Sequence, residues 1–198
     1  MPTFERMVRL MPKRSLFIAL VCLLALQCPA QFDTVFAKNG IRRCADSLAH
    51  GFRTKDWPLF ARYSNPAMIG SMGGTEEFIL FLKQSFANLP DSVWKKYAPG
   101  KILQVVKTPG ELQCVIELNS VLQWQSNRVT STDYLVGQSW DGGLFWTFFD
   151  SQGDPNNARM IKPDLSPEII IPPKKEKRET LPPAKKPKPK TGARPKSR

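Results

Sequence analysis

Apolar residues recur at helical spacing through the first part of the chain beyond residue 33. Ile41, Cys44, Leu48 and Phe52 stand three and four apart, the stripe of an amphipathic helix, and His50 lies off it. Asp56 is placed to cap a short second helix through Tyr63, with Trp57 and Phe60 inward and Pro58 in the first turn. Asn65-Pro66 then breaks it. Gly73-Gly74-Thr75 opens a third helix, with Thr75 as cap and Phe78, Phe81, Leu82, Phe86 and Leu89 as its apolar face, and Pro90 stops it.

From Lys101 onward the period changes to two. Lys101 to Thr108 supplies a strand ended by Pro109-Gly110. Between Glu111 and Trp124 the even positions are Leu112, Cys114, Ile116, Leu118, Ser120, Leu122 and Trp124, against the more polar odd positions Gln113, Glu117, Asn119 and Gln123. This alternation predicts one long half-buried strand. At ~3.3 Å per residue it is too long to stay flat in a domain of this size, so it must bend around the helices. A turn at Gln125-Ser-Asn127 pairs Trp124 with Arg128, Leu118 with Tyr134 and Ile116 with Val136. A hairpin at Asp141-Gly-Gly143 pairs Gln138 with Trp146 and Val136 with Phe148. Every even-numbered aromatic then shares one concavity. A one-residue slip at the first turn would reverse a strand's faces.

Three helices ahead of a long, strongly bent antiparallel sheet make an α+β domain. Three segments carry a family likeness: the helix ending Phe52-Arg-Thr-Lys-Asp-Trp-Pro-Leu-Phe60, the third helix led by Gly73-Gly74, and the meander ending Trp140-Asp-Gly-Gly-Leu-Phe-Trp146. In this order the chain resembles the nuclear-transport-factor-two-like family, the cone-shaped fold shared with ketosteroid isomerase, over roughly residues 33–165. The resemblance implies a pocket at the open end of a cone and a dimer through the outer sheet face. It implies no activity, because most such domains bind or scaffold.

One local motif is specific. Ser139-Trp-Asp141-Gly-Gly143-Leu-Phe-Trp146 matches the S-x-D-x-G-x-x-W pattern of the Asp-box hairpin. Asp141 can accept turn amides, Gly143 can take a positive φ, and Trp146 can pack beneath. A propeller needs repeats of this unit, and the chain has one, so the motif reads as structural.

Isomerase chemistry in a cone needs an inward carboxylate and an acidic donor. Glu111, Glu117 and Asp133 fall on the odd, outward face, which leaves Tyr134 with Asp150 as the candidate acid/base pair; a core tyrosine and a surface carboxylate at a strand end explain them better. One histidine supplies no metal cluster, no phosphate loop is present, and no cofactor is expected. Binding has the better basis. Trp57, Tyr63, Trp124, Tyr134, Trp140 and Trp146, with Ser120, Thr132 and Gln138 as inward polar groups, make up either an aromatic-lined pocket for a small apolar or amphipathic ligand or a plain core. On the other face Val115, Val121, Leu135, Phe145 and Phe149 form an apolar set, which is either a homodimer surface or one covered by the C-terminal segment.

Charge divides the chain in three. Residues 1–30 carry four basic and one acidic residue, 31–171 carry 14 of each sign, and 172–198 carry eleven basic and two acidic residues. The formal net charge of +12 therefore belongs to the ends. Arg6, Arg9, Lys13 and Arg14 precede the apolar run Leu16 to Leu26 and then Cys28-Pro-Ala30, the pattern of an export signal cleaved near Ala30. Cys28 follows Gln27, where lipid attachment needs a small residue. The chain is thus expected to be periplasmic or extracellular, with residues 31–171 as its single domain. After cleavage Cys44 and Cys114 remain, either as one disulfide or as two separate buried thiols.

Asp154 to Ile171 reads as an irregular wrap that tucks Ile169-Ile-Ile171 against the domain. Residues 172–198 read as a disordered Lys/Pro-rich tail, suited to anionic envelope polymers or lipid headgroups, or simply to solubility. A neutral body, an export signal and a tail without interleaved aromatics argue against specific nucleic-acid binding.

Overall fold

A computed structural model describes residues 33–182 of the chain; the export signal expected over residues 1–30 lies outside them. Helix α1, Thr34–Thr54, buries Ala37, Ile41, Cys44, Ala45, Leu48 and Phe52 and leaves His50 exposed. Helix α2, Trp57–Tyr63, is capped by Asp56, whose carboxylate accepts the Leu59 amide at 3.0 Å. Among the described residues four α-helices precede the sheet, not three. Asn65 does end α2, but its Oδ1 also accepts the Ala67 and Met68 amides at 2.9 and 3.2 Å, so Asn65-Pro66 caps a further short helix α3, Pro66–Ser71. Helix α4, Thr75–Ser85, starts on Gly74 at φ 112° with no side-chain cap, so Thr75 is its first residue and not its cap. Phe78 and Leu82 are buried there, whereas Phe81 is half exposed.

Four strands follow: β1, Trp94–Thr108; β2, Glu111–Trp124; β3, Asn127–Ser139; and β4, Thr147–Asp150. They form an antiparallel sheet in that order. Strand β1 starts seven residues before the predicted Lys101 and carries register shifts between Trp94 and Lys96 and on either side of Ile102. Bulges of this kind bend and twist a strand. The domain is α+β, with helices α1 to α4 ahead of its sheet in sequence.

The register differs from expectation by one residue at each hairpin. Trp124 pairs with Asn127, Ile116 with Leu135 and Leu118 with Asp133 across β2 and β3. Gln138 pairs with Thr147 and Val136 with Phe149 across β3 and β4. The two slips cancel for β4, and β3 alone is inverted. Its odd residues Asp133, Leu135 and Gly137 join Ile116, Cys114 and Phe148. Tyr134 and Val136 join Val115 and Phe149.

Each face has its own cover. The first packs under α1: a side chain at Gly143 would meet Ala37 of α1 and Leu112 of β2 together. The second is covered by the C-terminal segment, where Ala158, Leu165, Ile169 and Ile171 pack on Val115, Tyr134, Val136 and Phe149. Ile170 between them stays exposed. Thus Val115 and Phe149 are covered by this chain's own segment, and Leu135 lies on the helix side. The wrap is not wholly irregular, since it contains helix α5, Pro155–Ile161, capped by Asp154.

Of the two alternatives for the cysteines the structure has the second: Cys44 and Cys114 are buried free thiols, and burial pushes the Cys114 thiol far up. One further expectation is corrected. The tail is not structureless from residue 172: Lys175–Thr180 form strand β5, antiparallel to β3 over Asn127 to Thr132. That stretch was the open edge of β3 beyond β4, and backbone pairing there needs no apolar side chains. Residues 183–198 lie outside the described residues. Among the described residues no helix is long and apolar enough to cross a membrane.

Candidate ligand groove

The Asp-box hairpin between β3 and β4 is held by one carboxylate. Asp141 Oδ1 accepts the Leu144 and Phe145 amides at 3.0 Å and the Ser139 hydroxyl at 2.8 Å, and that hydroxyl oxygen accepts the Gly143 amide at 3.0 Å. Desolvation alone would raise the Asp141 carboxyl, but the Phe145, Ser139 and Leu144 donors together hold it below the usual carboxylate range. Trp146 turns inward, fully buried, and donates its indole N–H to the Gly143 carbonyl at 2.9 Å. Trp140 turns outward and is 59% exposed. A rigid turn therefore spends one tryptophan on the core and presents the other to solvent.

Beside Trp140 lies a groove of about 250 Å³. Trp140 and Gln138 line one side of it, Asn65, Pro66 and Ala67 another, and the stretch Ile161 to Asp164 the third. Asn65 is fixed at both ends: its amide donates to the Phe148 carbonyl at 2.8 Å, and its Oδ1 caps α3. Its Nδ2 is buried without an acceptor. Below the groove the Lys162 ammonium sits 2.7 Å from Glu111 Oε1 and 3.0 Å from Asp164, with Lys162 and Glu111 almost fully buried. Gln113 donates to Glu111 at 2.6 Å and accepts the Ser166 amide at 2.8 Å, which ties the wrap to β2.

Only two of the expected pocket residues meet here, Gln138 and Trp140. Trp57 is 5% exposed in an aromatic core around Phe52, whose ring stacks on Tyr97 at 4.1 Å and meets Phe86 and Trp94 edge-on. Tyr63 rests against Phe145, Trp146 is enclosed, and Trp124 stands exposed at the far end of β2. Ser120 and Thr132 are spent on cross-strand bonds to Ser131 and Asn119. Asn65 was legible only as a helix breaker, although Asn before Pro is also an N-cap signature. Lys162 to Asp164 carry no periodic signal.

Tyr134 and Asp150 do not form a pair. The inverted β3 puts Tyr134 under the wrap and Asp150 on the opposite face, beside Leu135. The tyrosine in Asp150's field is Tyr97. Burial first, then the charges of Asp150 and Asp133, push its phenol far up. Asp133 is buried, not outward: Oδ2 accepts the Ser131 hydroxyl at 3.1 Å, and Oδ1 is 3.1 Å from the Lys174 ammonium, an ionic contact outside hydrogen-bond geometry. Although the rim of Asp150 is open to solvent, desolvation raises its carboxyl; the Gln152 amide opposes this, Asp133 adds to it and Lys174 opposes it.

A raised carboxyl destabilises the fold once ionised, so this contribution is most favourable below the unfolded value of ~3.9 and is lost as pH rises through the folded one. Asp150→Asn should therefore raise the melting temperature at pH 7, with the gain shrinking toward pH 4. A loss at pH 7 would mean that the carboxylate is net stabilising. Among the described residues no three His, Cys, Asp or Glu side chains converge as a metal site.

A scan of protein-family models finds no match to this chain, and searches of curated proteins and of solved structures return no significant match.

Proposed function

We propose that this is an exported, non-enzymatic binding domain of the nuclear-transport-factor-two-like kind. It takes a small ligand in the Trp140 groove and uses its basic C-terminus to reach anionic envelope surfaces. The observation that carries the binding reading is the exposed Trp140, held on a rigid turn beside the buried Asn65, whose donor is unspent. Exposing a large ring on a fixed turn gains the fold nothing, whereas recognition needs a preorganised apolar face with a few placed polar groups. The aromatics that might have lined a central cavity pack on one another instead, which favours binding at the groove over chemistry in a cone.

The charge of the tail divides at residue 182. Between 172 and 182 four basic residues face Glu176 and Glu179, and Lys177 and Arg178 pair with them at 2.6 Å. Residues 183–198 carry seven basic residues and no acidic one. The strand β5 fixes where this charge leaves the domain. Deleting 183–198 should weaken binding to phosphatidylglycerol vesicles by at least about a hundredfold at low salt, since each Lys or Arg near an anionic surface contributes about 1 kcal/mol. The difference should collapse at high salt. Equal binding by both forms in a vesicle sedimentation assay overturns the tail's role.

A further inference from the structure

We infer that the Trp140 groove binds one neutral pyranose unit of a glycan, an assignment that rests on the groove being the ligand site. The groove's chemistry selects the class. Its walls are apolar and flat: the Trp140 indole, Pro66 and Ala67, and Ile161 and Pro163. Its one ammonium is shared by two carboxylates, because Lys162 lies 3.0 Å from Asp164 and 2.7 Å from Glu111. An anionic ligand therefore finds no unpaired countercharge.

A wholly apolar ligand fails for the opposite reason. It would seal the Gln138 amide at the groove wall away from water without a partner, a cost of ~1–3 kcal/mol. The ligand that satisfies both demands has an apolar ring face and a rim of hydroxyls. A pyranose is built this way. Its axial C–H bonds lie over the electron-rich face of an indole, and its hydroxyl oxygens accept from an amide donor such as the Gln138 side chain at the groove wall.

Size agrees with this. At about 250 Å³ the groove is smaller than the ~300 Å³ at which typical small-molecule pockets begin, so it holds one ring and leaves the chain to continue outside.

The test is titration of the full chain with neutral hexose and N-acetylhexosamine tetrasaccharides, read by tryptophan fluorescence and by the indole N–H resonance of Trp140. Adenosine and cyclohexanol serve as ring-shaped probes that are not saccharides. At least one tetrasaccharide should shift the Trp140 resonance. Trp140→Ala should weaken it at least tenfold with an unchanged melting temperature, because the ring is 59% exposed, and Trp140→Phe should recover part of the affinity. If adenosine or cyclohexanol moves the resonance and no saccharide does, the sugar assignment is overturned and the groove stands as a ligand site. If no probe moves it, or Trp140→Ala binds saccharide as tightly as the parent, both readings fall.

Discussion

Lys162→Met should destabilise the domain by about 3–5 kcal/mol, because it strands Glu111. The two side chains are 6% and 7% exposed and meet at 2.7 Å. An ion pair out of water offsets its desolvation cost only while both partners are present, and removing one leaves a buried charge without compensation. Gln113 remains as a donor to Glu111 Oε1 at 2.6 Å, but Oε2 has no hydrogen-bond partner. The second half of the cycle discriminates between charge and packing. In the double variant Glu111→Leu/Lys162→Met no charge is left, so stability should return to within about 2 kcal/mol of the parent or exceed it. Urea denaturation of the parent, both single variants and the double variant reads all four corners. A Lys162→Met cost under about 1 kcal/mol would show that water reaches Glu111 and that the wrap is looser than its contacts indicate. The same measurement reports on the groove, since Lys162 lies in its floor.

Gly40→Ala should cost about 3 kcal/mol or more, the upper end for forcing atoms into a packed core. On helix propensity alone the change would gain up to ~1 kcal/mol. The position decides otherwise. Gly40 lies where α1 crosses the Asp-box hairpin, and a methyl there would overlap the Gly143 carbonyl oxygen and stand 3.1 Å from the Trp146 indole nitrogen. That oxygen is the acceptor of the Trp146 N–H bond. It belongs to the backbone, so no rotamer change relieves the overlap. Helix and hairpin must separate, and the turn that presents Trp140 moves with them. Gly70→Ala is the matched control: a side chain there meets nothing within 4 Å, so it should be neutral or stabilise by up to ~1 kcal/mol. Equal melting temperatures for Gly40→Ala and Gly70→Ala would mean that α1 does not seat on the hairpin this closely.

Much of the fold was legible because it follows from short-range physics. The stripe Ile41, Cys44, Leu48 and Phe52 is buried in α1, Asp56 caps α2, and the alternation from Glu111 to Trp124 is one strand. The isoleucines at 169 and 171 tuck inward as expected, whereas Ile170 between them is exposed because successive side chains of an extended chain alternate. The site was legible only in part. Gln138 and Trp140 were named for it, but Asn65, Pro66 and Lys162 to Asp164 come from segments far away in sequence that carry no pattern pointing at one another.

The registers show where local physics stops. At Gln125 the chain takes φ 54°, a conformation for which Gly or Asn is the usual signal. Gln gives no such signal, so a two-residue turn and a three-residue turn looked alike. At the second hairpin, Gly143 adopts positive φ as expected and Gly142 does so too, but the carboxylate of Asp141 holds a wider loop from Trp140 to Trp146 before pairing resumes. Periodicity reports how often a strand changes face, and it is silent about which face meets which neighbour.

The sequence by itself therefore determined the kinds of element and their order, the Asp-box turn, and the confinement of net charge to the ends, because each depends on residues within a turn or two of one another. The tertiary structure alone decided that β3 is inverted, that Asp133 is inside while Tyr134 lies under the wrap, that Lys175–Thr180 completes the sheet, and that Trp140 borders a groove with Asn65. Those outcomes depend on how many residues a turn absorbs and on which distant surface covers each face.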